Sequence, residues 1–156
     1  MCLSAIEIIK EVGEYIRSER VLFDQGAVLN KSARDLVSYV DHTAEKMLVE
    51  RLSKLLPEAG FITEEKTTDK KGIISWIVDP LDGTTNYITG FPLYTSTLAL
   101  VDKNEVLLGV TYDIPSNKCY YAWKGGGAYC DGNAIHVKII LISKIPGNNR
   151  NSIPHE

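Results

Sequence analysis

The N-terminal part of the chain carries hydrophobic residues at intervals of three or four positions. Charged side chains such as Glu7 and Lys10 occupy the remaining faces of the same segment. This spacing predicts an amphipathic helix whose apolar row packs against the rest of the domain. The apolar row consists of Leu3, Ile6, Ile9, Val12 and Ile16.

A second helix is predicted after Asp41, because aspartate is a favoured residue at helix N-termini. Pro57 and Gly60 mark where this helix ends. Residues 35–40 (DLVSYV), which precede it, are compatible with a short extended segment or with the first turns of the helix. The apolar stripe of this second helix consists of Ala44, Leu48, Leu52 and Leu55.

Beyond these helices the pattern changes to short β-prone runs separated by turn residues. The first run, residues 73–78, is compact enough to be a buried strand. Short strands joined by short turns predict an antiparallel meander, and two helices followed by such a sheet predict an α+β fold. The further strand candidates are residues 95–101, 106–112, 119–123 and 128–130.

Composition and charge narrow the class of protein. The 156 residues are enough for one ordinary domain, with 44% hydrophobic and 24% charged residues, which excludes disordered and membrane-spanning classes. A net charge of −3 argues against a nucleic-acid partner. The three cysteines form no CxxC pair, and charged residues interrupt any apolar leader near the N-terminus. We therefore expect reduced thiols in a cytoplasmic protein with no membrane partner.

Two other features are predicted to have no catalytic role. Residues 124–127 (KGGG) lack the following Gly-Lys-Ser/Thr of a phosphate-binding loop, so they are interpreted as a hairpin turn. The three histidines, His42, His136 and His155, are interpreted as structural or exposed residues.

The candidate chemistry lies in residues 77–86 (IVDPLDGTTN), where a buried strand runs into Asp79 and Asp82. Pro80 restricts the backbone, so Asp79 is expected at the strand end, with Asp82 close enough to converge with it. Gly83 permits close approach of a ligand to the backbone. If Thr84 and the next residue open a helical turn, their free amides suit an anion such as phosphate.

Glu64 and Glu65 follow an apolar pair and could reach the same place at the end of another strand. Four acids gathered without cations would repel one another, and a divalent cation would relieve that repulsion. An all-oxygen ligand set selects Mg²⁺ rather than zinc. The alternative is that the aspartates belong to ordinary turn dipeptides and that the glutamates are a solvated pair. Spacing alone leaves both interpretations open.

Residues 79–86 (DPLDGTTN) resemble the first signature of the inositol monophosphatase family, which are Mg²⁺-dependent, lithium-sensitive phosphatases. The resemblance covers roughly residues 4–137, and residues 85–87 (TNY) are most similar to the inositol monophosphatase branch proper. It implies the N-terminal part of a layered α/β/α/β/α sugar-phosphatase fold, with two helices packed on a largely antiparallel sheet. The other matching segments, in family order, are Lys31, residues 35–38 (DLVS), Asp41, residues 60–65 (GFITEE), 76–78 (WIV), 91–92 (FP) and 124–132 (KGGGAYCDG).

The resemblance also implies roles for the matching residues. Glu64, Asp79 and the carbonyl of Leu81 would bind a first Mg²⁺, and Asp79 and Asp82 would bind a second. Thr84 and Glu64 would orient the attacking water.

The backbone amides of Gly83 and Thr84 would bind the phosphate, and Asp41 would hydrogen-bond Thr84. Glu65 would assist a weaker third metal through water, and Lys31 would lie in a loop near the metals. The implied substrate is a small phosphorylated polyol or sugar, and family members are commonly homodimers.

The resemblance stops near Lys138, so we expect a family-like domain over residues 1–138 and a divergent tail over residues 139–156. Family members continue with a second half that supplies a Trp-Asp motif, whereas Trp76 and Trp123 are followed here by Ile and Lys. We hypothesise a reading-frame shift near Lys138; a natural short variant is the alternative. The coding DNA would decide between them. Without its second half the sheet would expose apolar surface, which predicts poor solubility.

Three functions are compatible with the sequence. The first is Mg²⁺-dependent hydrolysis of a phosphate monoester, with inositol monophosphate as the expected substrate and metal-activated water as the nucleophile. The second is a truncated, non-catalytic fragment that binds metal. The third is a relative that acts on another sugar phosphate or on a nucleotide phosphate.

Overall fold

A computed structural model describes residues 1–24, 33–103 and 105–137 of the chain. Within these ranges, helices precede strands in the order that the pattern predicts, and the α+β class is confirmed. Neither long helix in the described part is apolar enough over its length to cross a membrane. The elements are α1 (Cys2–Asp24), α2 (Ala33–Leu55), β1 (Gly60–Thr63), β2 (Ile74–Asp82), α3 (Thr84–Thr89), β3 (Thr95–Asp102), β4 (Glu105–Asp113), β5 (Lys118–Trp123), β6 (Gly127–Cys130) and β7 (Asn133–Ile135).

The described strands form one sheet in which β1 to β7 follow one another in chain order. β1 pairs with β2 in parallel, and every later pair is antiparallel, so the predicted meander is confirmed. The predicted hairpin turn after Trp123 connects β5 and β6, and the Gly126 N–H closes it on the Trp123 carbonyl at 2.9 Å. β7 lies beyond the predicted strands, the last of which ends at residue 130.

α1 and α2 cover one face of the sheet and bury a single hydrophobic core against it. Along β3 the burial alternates, with Ser96, Leu98 and Leu100 under the helices and Thr97 and Ala99 partly exposed on the opposite face. This alternation follows from the two-residue side-chain period of a strand. The largest fully buried apolar side chains are Trp76, Tyr87, Tyr112, Ile9, Ile16, Leu48, Leu52, Leu81, Leu98 and Ile114.

The two long helices correct two predictions: where α2 begins, and which face of α1 is buried. α2 begins at Ala33, so Asp41 lies inside the helix rather than at its N-cap, and residues 35–40 are helical. The reason is tertiary: Val37 and Val40 are buried and extend the apolar stripe of α2 toward its N-terminus. In α1 the row facing the core starts at Ala5, and Leu3 is 72% exposed. Leu3 is about 200° around the helix from Ala5, since each residue turns the helix by roughly 100°.

β2 corrects a third prediction, because it continues past Asp79 and Pro80 as far as Asp82. In the pairing with β3, Asp79 lies opposite Thr97 and Asp82 opposite Thr95, so β2 has one extra residue over this stretch. Such a bulge tolerates a proline, which has no N–H to contribute to the ladder. The two aspartates are therefore placed by a bulged strand rather than by a strand end followed by a turn.

Candidate functional site

The centre of the candidate site is the junction between β2 and α3. Gly83, which joins them, has φ +94°, a left-handed conformation that favours glycine. A Cβ at this position would lie 2.9 Å from the Leu93 carbonyl oxygen, so the backbone is also closely packed here. The Tyr87 N–H donates to the Gly83 carbonyl at 3.0 Å and closes the first turn of α3. Thr84 does open a helical turn, and the first amides of such a turn have no partner within the helix.

Tyr87 fixes α3 to the rest of the domain. Its ring is fully buried, and its hydroxyl donates to the Ile16 carbonyl in α1 at 3.2 Å. The edge of the ring meets Tyr94 at 5.3 Å between centroids, and the Arg20 guanidinium lies 5.7 Å from the ring centre. Burial raises the pKa of the Tyr87 hydroxyl. Sequence reasoning assigned Tyr87 no structural role, although an aromatic residue within a polar, threonine-rich turn was the available signal.

Glu64 reaches this junction through strand pairing. In the parallel pair of β1 and β2, Thr63 lies opposite Val78, so the next residues along the two strands, Glu64 and Asp79, emerge side by side. The predicted convergence of these two carboxylates from neighbouring strands is what the structure contains. Glu64 is exposed and Glu65 is partly buried.

Asp79 is a partly buried carboxyl group with other acids close to it. Its pKa is raised to about 6 by burial and by the negative charges of Glu64 and Asp82. A side-chain hydrogen bond with Glu64 acts in the same direction within that value. The Oδ1 atom of Asp79 is buried and has no hydrogen-bond partner.

Asp41 extends the acidic cluster from α2. Its pKa is raised to about 7 by burial and by the negative charges of Glu65, Glu64, Asp79 and Glu45. The residue is 5% exposed, and its Oδ1 atom also has no hydrogen-bond partner.

Glu45, one helical turn after Asp41, is a buried acid that sequence reasoning did not single out. Its side chain is fully buried and accepts hydrogen bonds from the Glu65 N–H at 2.7 Å and from the Thr67 N–H at 2.9 Å. The Thr67 hydroxyl donates to the same carboxylate at 2.7 Å. Burial alone would raise the pKa of Glu45, but these hydrogen bonds outweigh it and lower the pKa.

Two small clefts flank the junction. One, of about 200 Å³, is lined by Val37, Ser38, Asp41, Glu64, Glu65, Thr84 and Ile88. The other, of about 260 Å³, is lined by Asp82, Gly83, Asn86, Leu93, Tyr94 and Thr95. Asp41 and Thr84 both line the first cleft, but the Thr84 hydroxyl donates to the Leu81 carbonyl at 3.2 Å rather than to Asp41. Lys31 lies outside the described residues.

The donor set at this site fits a hard divalent cation. Carboxylate oxygens dominate it, two buried oxygens lack a hydrogen-bond partner, and the pKa values of Asp79 and Asp41 reflect uncompensated negative charge. The side chains are not arranged as a finished cage: within residues 1–24, 33–103 and 105–137, no group of three or more His, Cys, Asp or Glu could hold a metal ion as placed. A bound cation would offset the negative charges that, together with burial, raise the pKa of Asp79.

Comparison with known proteins places this fold among those of solved suhB proteins and inositol monophosphatases. The family model of the inositol monophosphatase family matches residues 2–152, and the chain belongs to that family.

Three relatives illustrate the similarity. Inositol monophosphatase 1 of Sus scrofa is 33% identical over 138 residues, which are 85% of this chain and 50% of that protein. The fructose-1,6-bisphosphatase/inositol-1-monophosphatase of Aquifex aeolicus is 40% identical over 109 residues, or 69% of this chain and 41% of that protein. The crystal structure of the extragenic suppressor protein suhB from Bartonella henselae superposes with a TM-score of 0.72 at 27% identity, covering 86% of this chain and 52% of that one. The chain thus spans about half the length of the relatives it matches.

Proposed function

We propose that this chain carries a Mg²⁺-dependent phosphomonoesterase site that releases phosphate from a small phosphorylated polyol, with inositol monophosphate as the first candidate. The observation that carries the proposal is the convergence of Glu64 and Asp79 from two parallel strands, next to Asp82 and the left-handed Gly83. Membership of the inositol monophosphatase family supports the reaction class.

In the proposed site, Glu64, Asp79, Asp82 and the Leu81 carbonyl hold Mg²⁺. When bound, Mg²⁺ supplies charge neutralisation of the phosphate and a lower pKa for a bound water. Asp79 would have to be ionised to act as a ligand, so Mg²⁺ would compete with a proton for this carboxylate. Since the pKa of Asp79 is about 6, we expect weaker Mg²⁺ binding below that pH.

The remaining residues position the phosphate and the water. The amides of Gly83 and Thr84 lie at the start of α3, where free N–H groups favour an anion. Thr84 and Glu64 orient the attacking water, and for this role the Thr84 hydroxyl must turn away from the Leu81 carbonyl. Asp41 lines the same cleft and accepts a hydrogen bond from the turned hydroxyl, while Glu65 contributes negative charge beside it.

The proposal is tested by assaying phosphate release from inositol 1-phosphate at several Mg²⁺ concentrations. We expect Asp79→Asn to lower turnover by about 10³-fold or more, because several kcal/mol of metal-supplied stabilisation is lost. Asp69→Asn is the matched control, since Asp69 is an exposed acid in the loop between β1 and β2. Turnover that is unchanged by Asp79→Asn would refute the proposed site.

The second candidate, a fragment that binds metal without turnover, is favoured by one observation: the chain covers about half of its relatives. Mg²⁺ binding that Asp79→Asn abolishes, together with no phosphate release from the wild-type chain, would support this candidate.

A further inference from the structure

The loop that follows β1 is attached to α2 by a single side chain. Residues 65 and 67 both donate backbone N–H groups to Glu45, and Thr67 adds its hydroxyl. Lys66 between them has φ +54°, a left-handed conformation that is uncommon for a lysine. Residues 65–67 are thus wrapped around the Glu45 carboxylate by these hydrogen bonds.

Burying the Glu45 carboxylate lowers the stability of the fold. A buried charge that has no opposite charge beside it loses several kcal/mol of hydration, which good hydrogen bonds only partly return. Glu45 is fully buried, and the described donors to it are two amides and a hydroxyl rather than a cation. An apolar residue at position 45 would fill the same space at a lower cost in free energy, so the charge is explained by what it holds in place.

What it holds in place is the residue before the loop. Glu64 is fixed on one side by β1, where Thr63 pairs with Val78, and on the other side by the Glu65 N–H bonded to Glu45. The far end of the loop is tied separately, because the Phe61 N–H donates to the Lys70 carbonyl at 2.8 Å. Removing the Glu45 contact would leave Glu64 as the first residue of a loop tied at only its far end.

We propose that Glu45 is a positioning residue, which holds residues 65–67 against α2 so that the Glu64 carboxylate stays beside Asp79. This inference rests on the proposed function, since it assigns Glu64 to the metal. Glu45 itself touches neither the metal nor the substrate; it acts through the loop backbone.

The test compares Glu45→Gln and Thr67→Val with Glu50→Gln in the full chain. Glutamine keeps the size of the side chain but replaces one acceptor oxygen by an NH₂ that faces a donor. Valine removes only the Thr67 hydroxyl. Glu50 is the matched control, because it lies in the same helix but is exposed and pairs with Lys54.

Two quantities are measured: the Kd for Mn²⁺ by titration, and the hydrogen-exchange rates of the Glu65 and Thr67 amides. We expect Glu45→Gln to weaken Mn²⁺ binding by about 10- to 100-fold, as for other residues that orient metal ligands. Both amides should exchange faster, and Thr67→Val should shift Kd in the same direction by less. Glu50→Gln should change Kd by less than about twofold.

The double variant Glu45→Gln/Thr67→Val should bind Mn²⁺ no more weakly than Glu45→Gln alone, since the two changes remove one contact. An unchanged Kd in Glu45→Gln with a lowered melting temperature would overturn the inference and leave the proposed function intact. If Glu45→Gln does not fold, Thr67→Val is used instead: an unchanged Kd for Mn²⁺ with a lowered melting temperature would overturn the inference. If the wild-type chain binds no Mn²⁺, the proposed function fails and the inference falls with it.

Discussion

The hydrophobic core and the acidic site share the helix α2 but place opposite demands on it. Leu48 and Leu52 face the core, where each buried apolar side chain adds to the free energy of unfolding. Asp41 faces the site, where burial and neighbouring acids raise its pKa to about 7. In the absence of metal, the ionised site lowers stability while the core raises it. The comparison shows that stability and the proposed chemistry can be altered separately in one helix.

The largest expected effect is a loss of stability on shortening a side chain in the hydrophobic core. Leu48→Ala should lower the free energy of unfolding by about 2–5 kcal/mol, because it leaves a cavity where the side chain was fully buried. Leu3→Ala is the control and should change it by less than about 0.5 kcal/mol, since Leu3 is mostly exposed. Urea denaturation measures both. Equal losses in the two variants would contradict the assignment of Leu3 to the outer face of α1.

Gly83, at the junction of β2 and α3, is constrained both by its left-handed φ and by close packing against Leu93. A pair of variants separates these two constraints. Gly132→Ala adds a Cβ at φ +86° with no atom within 4 Å and should cost about 1–2 kcal/mol of stability. Gly83→Ala adds the contact with the Leu93 carbonyl and should cost about 1–3 kcal/mol more through overpacking. Denaturation midpoints compare the two. Gly83→Ala should also weaken inhibition by inorganic phosphate, whereas Gly132→Ala should not.

The pH dependence of stability tests the electrostatic side of the comparison. Because the folded pKa of Asp41 is about 7 and its unfolded value is about 3.9, the folded state binds more protons between these values. The contribution of Asp41 to the stability of the metal-free chain is therefore greatest below about pH 4 and falls as the pH rises to about 7. Asp79, with a pKa of about 6, contributes in the same direction up to that pH.

Asp41→Asn should flatten the fall between about pH 6 and 7, where Asp79 is already ionised, and should raise the metal-free melting temperature at pH 7 by a few degrees. Melting curves in a chelator at several pH values measure this. A slope that is identical in wild type and Asp41→Asn would show that Asp41 is not titrating in this range.

The smallest expected effect on stability concerns the face of the sheet that the described helices leave open. Tyr120 is 39% exposed there and lines an apolar cleft of about 290 Å³. Tyr120→Thr should change stability by less than about 0.5 kcal/mol but should reduce self-association and binding of a hydrophobic dye. Val137→Thr, at an exposed position beyond β7, should change neither. A wild-type chain that is monomeric and binds no dye would contradict the prediction of poor solubility.

Much of the fold followed from patterns that need no tertiary information. The strands β3 and β4, the hairpin turn at residues 124–127 and the antiparallel meander are predicted from residue type and spacing. Asp41 was placed wrongly as an N-cap, because its type favours caps while the buried Val37 extends the helix past it. Leu3 was assigned to the buried row of α1 because spacing gives the period of a helix but not the rotation of its buried face.

Of the candidate site, the sequence identified the acids but not what holds them. Glu45 looks like an ordinary charged residue of an amphipathic helix, and nothing near it in sequence reveals the loop that it binds 20 residues later. The bulge between Asp79 and Asp82 was also missed, because it depends on how β2 pairs with β3. The ligand assignments themselves stay predictions until metal binding is measured.

The sequence by itself determined the order of helices and strands, the family and the acidic residues of the junction, because these depend on local pattern and motif. Only the tertiary structure decided which of the acids are buried and which lie beside one another. It also decided that Glu45 holds the Glu64 loop. The physical reason is that burial and hydrogen bonding between distant segments are fixed by strand register and helix rotation, which local sequence does not specify.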